Sequence, residues 1–381
     1  MSNKTNTTLP DEAVCLTAHS LQWRGSLKHV APEEIPPSES LLSGEALEGY
    51  LNALGEPPLS LIAVGDIMLG GRGKEALAEH GPDYAFEAVL PILRRASIVL
   101  GNLEGPFARK APREPRDHSY RVNPELATSL RRAGINVVTL ANNHLLDCGR
   151  AGVLETLETL TLADIAALGA GANQEAAHAP VIRQAGRWRI GLLGYFWNRR
   201  CAATMDLPGS AMNRRAALEA DIRALREQVD RVVVSFHWGF SYNREPSPKQ
   251  RAKAHFAVDC GADAVVGHHP HIAQAFEIYR GCPIFYSVGN FAFGSGNSRA
   301  EGLLVGLRFE NTRTIVDVYP LYVKNRDPRV HYQPKVLTRE PSERTLRNLA
   351  AISGPSGELL KVERGRGRLD LPWTPREGIN G

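Results

Sequence analysis

Short apolar runs recur along the chain, at Leu61 to Gly65, Ser97 to Gly101, Asn136 to Ala141, Ile190 to Tyr195, Arg231 to Phe236 and Ala264 to Gly267. Runs of this length, closed by glycine or polar residues, predict buried strands. Between them, apolar residues return at helical spacing in Tyr84 to Arg95, Pro124 to Ala133, Gly152 to Leu162, Ala211 to Val229 and Pro248 to Cys260. Strand alternating with helix predicts an α/β fold built in layers. From about 283 to 322 the helices drop out and strand follows strand (Ile284 to Val288, Leu303 to Phe309, Thr314 to Leu321), which predicts an added antiparallel section.

Both ends lack this rhythm. Residues 1–58 show no strong periodicity and are broken by Pro32, Pro36, Pro37, Pro57 and Pro58, so they read as an N-terminal appendage or lid. Residues 59–325 form the expected main domain. Residues 326–381 read as a peripheral C-terminal extension with one helix at Glu343 to Ile352, and its run Arg364 to Arg368 as solvated surface charge.

Composition narrows the classes. A chain of 381 residues with 43% hydrophobic content can bury one large core. Forty-five Lys and Arg against 41 Asp and Glu leave a net charge of +4, too little for the basic surface of a nucleic-acid reader. Five cysteines without close pairs (Cys15, Cys148, Cys201, Cys260, Cys282) suggest neither a disulfide framework nor a thiolate zinc site, which fits a reducing compartment. Met1 to Pro10 lacks the pattern of a secretion signal and no apolar run is long enough to cross a bilayer, so the expected location is cytoplasmic.

The polar residues that carry information lie just past the predicted strands, where α/β folds gather their sites. They occur in Gly65-Asp66-Ile67-Met68, Gly101-Asn102-Leu103-Glu104, Ala141 to Asp147, His237-Trp238-Gly239 and Gly267-His268-His269-Pro270-His271. Taken singly, Asp66 fits a helix cap, Asn142 and Asn143 a turn, and His237 a satisfied interior histidine. Together, five loops pooling carboxylate, carboxamide and imidazole groups exceed what folding needs, because buried polar groups cost stability unless paired. A metal site accounts for them.

Those loops, with Gly261-Ala262-Asp263 and Tyr286 to Phe291, resemble the successive motifs of the family named after the poly-gamma-glutamate capsule protein CapA, within the calcineurin-like metallophosphatase superfamily. Order and spacing agree from about residue 61 to 310, roughly two-thirds of the chain. The resemblance implies a four-layer α/β/β/α sandwich. It makes Asp66, Glu104, Asn143, His237, His269 and His271 the candidate metal ligands. The candidate catalytic residues are His144 and Asp147, three apart so that the carboxylate can orient the imidazole, together with His269 and Asp66. Arg72 and Asn290 are the candidate substrate contacts, and the basic loop of Arg109, Lys110, Arg113, Arg116 and Arg121 reads either as an anion site or, preferably, as solvated charge. Oxygen and imidazole donors without thiolate suit one divalent ion, whether Ca, Mn, Mg, Fe or Zn, with a second left open.

Two departures qualify the resemblance. Ordinary calcineurin-like phosphoesterases carry histidine two residues after the first aspartate, where this chain has Met68, which cannot ligate a hard metal. Ser241 stands where family members commonly have glutamate. Three functions follow: a metal-dependent hydrolase of phosphoester or amide; an epimerase that inverts a peptide α-carbon by His/Asp acid/base chemistry, as CapA-like tailoring enzymes of lasso peptides do; and a non-enzymatic accessory of poly-gamma-glutamate synthesis. The substrate is then a peptide or a poly-gamma-glutamate-like polymer, and the preferred expectation is the peptide epimerase.

Overall fold

In the computed structural model, which describes residues 35–110, 120–294 and 301–374, all six apolar runs are strands. They span Leu59–Met68, Ala96–Leu103, Val137–Thr139, Trp188–Phe196, Arg231–His237 and Ala264–His268. Among the described residues, eleven strands form one sheet and six a second. In the first sheet, Leu59–Met68, Ala96–Leu103, Val137–Thr139 and Ala166–Leu168 run parallel. In the second, Trp188–Phe196, Arg231–His237 and Ala264–His268 do the same. The fold is mixed α/β, as the alternation predicts.

Side chains alternate across each strand with period two, and both faces are apolar, so each sheet is covered on both sides. Leu61, Ala63, Ile98 and Leu100 of the first sheet meet Ile190, Leu192, Val233 and Val266 of the second in one shared core. Val64, Val99 and Val138 point the other way, into a cluster with Leu130, Val153 and Leu160 of the covering helices. Val232, Val234 and Val265 likewise pack on Leu218, Ile222 and Leu225 of the Arg215–Arg226 helix.

The helices differ from expectation where local chemistry intervenes. Tyr84 to Arg95 splits into Tyr84–Glu87 and Leu90–Leu93, the second starting with Pro91 near its N-terminus, where the missing N–H costs nothing. The Pro248–Asp259 helix starts on a reciprocal capping box between Ser247 and Gln250. The expected antiparallel section divides between the sheets. Cys282–Phe285 pairs parallel to Ala264–His268 in the second sheet, while Glu301–Phe309 and Arg313–Tyr322 form an antiparallel hairpin in the first.

Both terminal expectations need correction. Of residues 1–58, the described part is built into the body: Leu41–Leu42 pairs with Lys335–Leu337, and the Gly44–Leu54 helix buries Leu47 and Leu51. The C-terminal extension is not peripheral, because Arg366–Pro372 lies antiparallel along Arg313–Tyr322 and buries Leu369 and Leu371. Of its basic run, Arg364 is exposed as expected, but Arg366 is buried, and both Arg366 and Arg368 bind Glu56. Arg308 completes the clamp on Glu56 at 3.2 Å. Just beyond that strand, Trp373 stacks on the buried Arg231 guanidinium, 3.1 Å from the ring centroid, and donates from Nε1 to Asp263 at 2.9 Å. Cys148 and Cys260 are free thiols, whereas Cys201 is disulfide-bonded, a bond the cysteine spacing did not suggest. No helix among the described residues is long and apolar enough to cross a membrane.

Partial burial of Glu56 would raise its pKa, but the hydrogen bonds and charges of Arg368 and Arg366 outweigh that and hold it at about 2. A folded pKa below the unfolded one gives stability that is present above the unfolded value and fades as pH falls toward the folded value. Glu56→Gln is therefore expected to cost about 2 kcal/mol at pH 7, with the gap to wild type closing between pH 4.5 and 2, as read from denaturant melts.

Candidate metal centre

The strand ends bring five loops to one place. Gly65 makes this approach close: a Cβ there would fall 2.1 Å from the Gly289 carbonyl oxygen, so the Asn290–Phe293 strand can lie beside Asp66. Asp66 and Asn290 are register partners. Asn102 and Glu104 end the neighbouring strand, and His237 and His268 are register partners in the second sheet. Asp66, Glu104, Asn143, His144, His237, His268, His269 and His271 are all buried.

Donor atoms crowd at one point. His237 Nε2 lies 2.6 Å from Asn143 Oδ1, 3.0 Å from His269 Nδ1 and 3.6 Å from Glu104 Oε1. Ligands about 2.1 Å from one ion and at right angles to each other sit about 3 Å apart, so this spacing is that of a coordination shell. One ligand atom each from Asp66, Glu104 and His237 lies within 4.8 Å of the others. Glu104 Oε2 is buried without a hydrogen-bond partner, and Asp66 Oδ2 meets only His271 Nδ1, at 3.1 Å. Two buried carboxylates beside imidazole and carboxamide donors fit a divalent cation and make the described residues the right kind to hold one.

The electrostatics agree. Burial and the neighbouring Asp66 charge push the Glu104 carboxyl upward. Asp66 goes the other way: burial opposes ionisation, but His268 and His271 outweigh it. Burial and the adjacent His269 hold His237 neutral, the form in which imidazole ligates. Two buried carboxylates thus ionise only with a proton or a cation between them.

Beside the cluster, His144 Nδ1 donates to Asp147 Oδ2 at 2.8 Å, and the same oxygen accepts the Tyr120 backbone N–H at 2.8 Å. The Tyr120 ring packs edge-on against the imidazole at 4.7 Å. Burial lowers the His144 pKa, but Asp147 outweighs it and the balance is upward.

Of the sequence-derived residues, all six candidate ligands and the His144–Asp147 pair converge here. Asn290 is not presented to substrate, since it is buried with its Oδ1 3.0 Å from His271 Nδ1. Arg72 is exposed, and its backbone N–H bonds Gly294. Arg109 pairs with Glu155 and Arg121 donates to the Arg109 carbonyl, so both are engaged within the protein, while Arg113 and Arg116 lie outside the described residues. Met68 is buried in the apolar cluster, its sulfur against Gly105, where a Cβ would fall 2.7 Å away. Sequence reasoning passed over Asn102, His268 and Tyr120. For Asn102, its place one strand over from Asp66 was the available signal. His269 and His271 adopt φ of +97° and +59°, and Tyr242 +63°, a left-handed backbone that gathers at functional sites.

A mixed α/β protein with buried acid and imidazole at its strand ends is the class this geometry defines. Residues 60–295 match the family described as bacterial capsule synthesis protein PGA_cap, and the chain belongs to that family. It is 35% identical over 283 residues to the capsule biosynthesis protein CapA of Bacillus anthracis, covering 71% of this chain and 69% of that protein. The PGA biosynthesis protein CapA of Bacillus subtilis (strain 168) is 32% identical over 264 residues, 68% of this chain and 70% of that protein. A probable polyglutamine synthesis accessory protein of Mycobacterium tuberculosis is 33% identical over 212 residues, 51% of this chain and 54% of that protein.

A cation that binds only the folded state stabilises it by mass action, by about 2.7 kcal/mol at a hundredfold excess over Kd. Manganese added to the metal-free protein is expected to raise its melting temperature, and the rise should vanish in Glu104→Gln and persist in His144→Ala. Equal shifts in wild type and Glu104→Gln would remove Glu104 from the ligand set.

Proposed function

We propose that this protein is a divalent-ion-dependent component of poly-gamma-glutamate synthesis whose site acts on the amide-linked polymer. The observation that carries the reading is the buried Asp66, Glu104 and His237 cluster in a chain whose relatives are named for capsule and PGA biosynthesis. We infer further that the two facing sheets, with helices on their outer sides, are the four-layer sandwich of the calcineurin-like superfamily. The strand-end position of the cluster supports that inference.

When bound, the ion supplies Lewis acidity toward a substrate carbonyl. The protein supplies the rest. Asp66 and Glu104 provide the negative charge that selects a cation, and the buried imidazoles of His237, His269 and His271 offer nitrogen donors, with His237 already held neutral by burial. Asp147 accepts the Nδ1 proton of His144, which leaves Nε2 as the nitrogen able to take or give a proton. Burial excludes water from that exchange.

The names of the relatives favour this reading over the peptide epimerase preferred from sequence, for which the His144–Asp147 pair would serve equally well. Incubating the protein with manganese and poly-gamma-glutamate in heavy water distinguishes the two. Shortened or re-linked chains without deuterium at the α-carbon are the expected result. Deuterium uptake at constant chain length would replace it with epimerisation. No change in either would leave an accessory role, and His144→Ala should abolish whichever change is seen.

A further inference from the structure

Asn102 is fully buried at the end of the Ala96–Leu103 strand, and the chemistry above assigns it no part. Its Nδ2 lies 2.8 Å from Asp66 Oδ1 and 3.1 Å from Glu104 Oε1, with His237 Nδ1 at 3.2 Å. Of the second oxygens, Asp66 Oδ2 faces His271 Nδ1 at 3.1 Å and Glu104 Oε2 has no hydrogen-bond partner. A carboxamide carries two N–H donors, so one group can serve both acids. Its other end is also used: Asn102 Oδ1 accepts from Asn142 Nδ2 at 3.2 Å, and Asn142 Oδ1 accepts from the His144 backbone N–H at 3.1 Å. These partners fix the orientation of the amide. Reversed, it would set its oxygen against two carboxylates and its donor against the Asn142 donor.

We propose that Asn102 is the positioning residue of this site, its amide bridging Asp66 Oδ1 and Glu104 Oε1 and so fixing how the two carboxylates face the ion. The inference deepens the ion-binding reading and rests on it. The Asn102 amide is the group that bonds Asp66 Oδ1 and Glu104 Oε1 at once, at 2.8 and 3.1 Å. Asn102 also ties the acids, through Asn142, to the loop that carries His144. The ligands and the acid/base pair come from separate strands, and this carboxamide bridges them.

The test is manganese binding to the full chain by isothermal titration, with the electron paramagnetic resonance spectrum of the bound ion and the melting temperature of the ion-free protein measured alongside. Asn102→Ala removes the amide, and Asn102→Leu removes it while keeping its volume, so the second decides if the first does not fold. Loss of a residue that orients ligands weakens metal affinity by about 10- to 100-fold. That loss is expected in both variants, together with an altered spectrum, even where the ion-free melting temperature matches wild type. A purely structural role would move the melting temperature and leave the spectrum of the bound ion unchanged. Binding within twofold of wild type with an unchanged spectrum would overturn the inference alone. Failure of the wild-type protein itself to take up manganese would overturn the ion-binding reading and this inference with it.

Discussion

The structure turns on a repulsion. Asp66 and Glu104 are both buried, and two such acids cannot ionise side by side without compensation. His271, 3.1 Å from Asp66 Oδ2, supplies part of it, while Glu104 Oε2 has no hydrogen-bond partner, which makes the pair a costly structural device and a good cation trap. The neighbouring groups are arranged accordingly. His237 Nε2 lies 2.6 Å from Asn143 Oδ1 and 3.0 Å from His269 Nδ1, and the Asn102 amide spans one oxygen of each acid beside them.

The rest of the molecule supplies the rigidity this requires. Strands apolar on both faces lock two sheets across a shared core, so the five loops leave rigid ends rather than mobile ones. Gly65 lets the Asn290–Phe293 strand approach Asp66, and His269 and His271 hold strained backbone that only firm surroundings sustain. At a distance from the site, Glu56 gathers Arg308, Arg366 and Arg368 and thereby joins the start of the described chain to its last strand. That clamp encloses the sheet whose other strands carry Asp66 and Glu104.

Much of this was legible in the sequence. Apolar runs ending in glycine mark the strands because parallel strands are buried on both faces, and polar residues directly after them mark the site because those loops converge. That basis picked out the loops, and the family resemblance singled out within them the six candidate ligands and His144, which the fold brings together with Asp147. What escaped depends on distance in space rather than along the chain. Asn102 is an ordinary strand-end residue until Asp66 and His237 are brought around it. The Arg364 to Arg368 run resembles a solvated tail until Glu56, some 310 residues earlier, is found beneath it. Asn290 reads by sequence as a substrate contact, yet its carboxamide faces His271 and not the solvent.

Anomalous diffraction from a crystal of the full chain soaked in manganese tests the central claim most directly. The expected result is a peak bounded by Asp66, Glu104 and His237, with the two carboxylates turned toward it. A fully soaked crystal with no peak there, or with manganese held only at the surface, would contradict the account and leave two buried acids in need of another explanation.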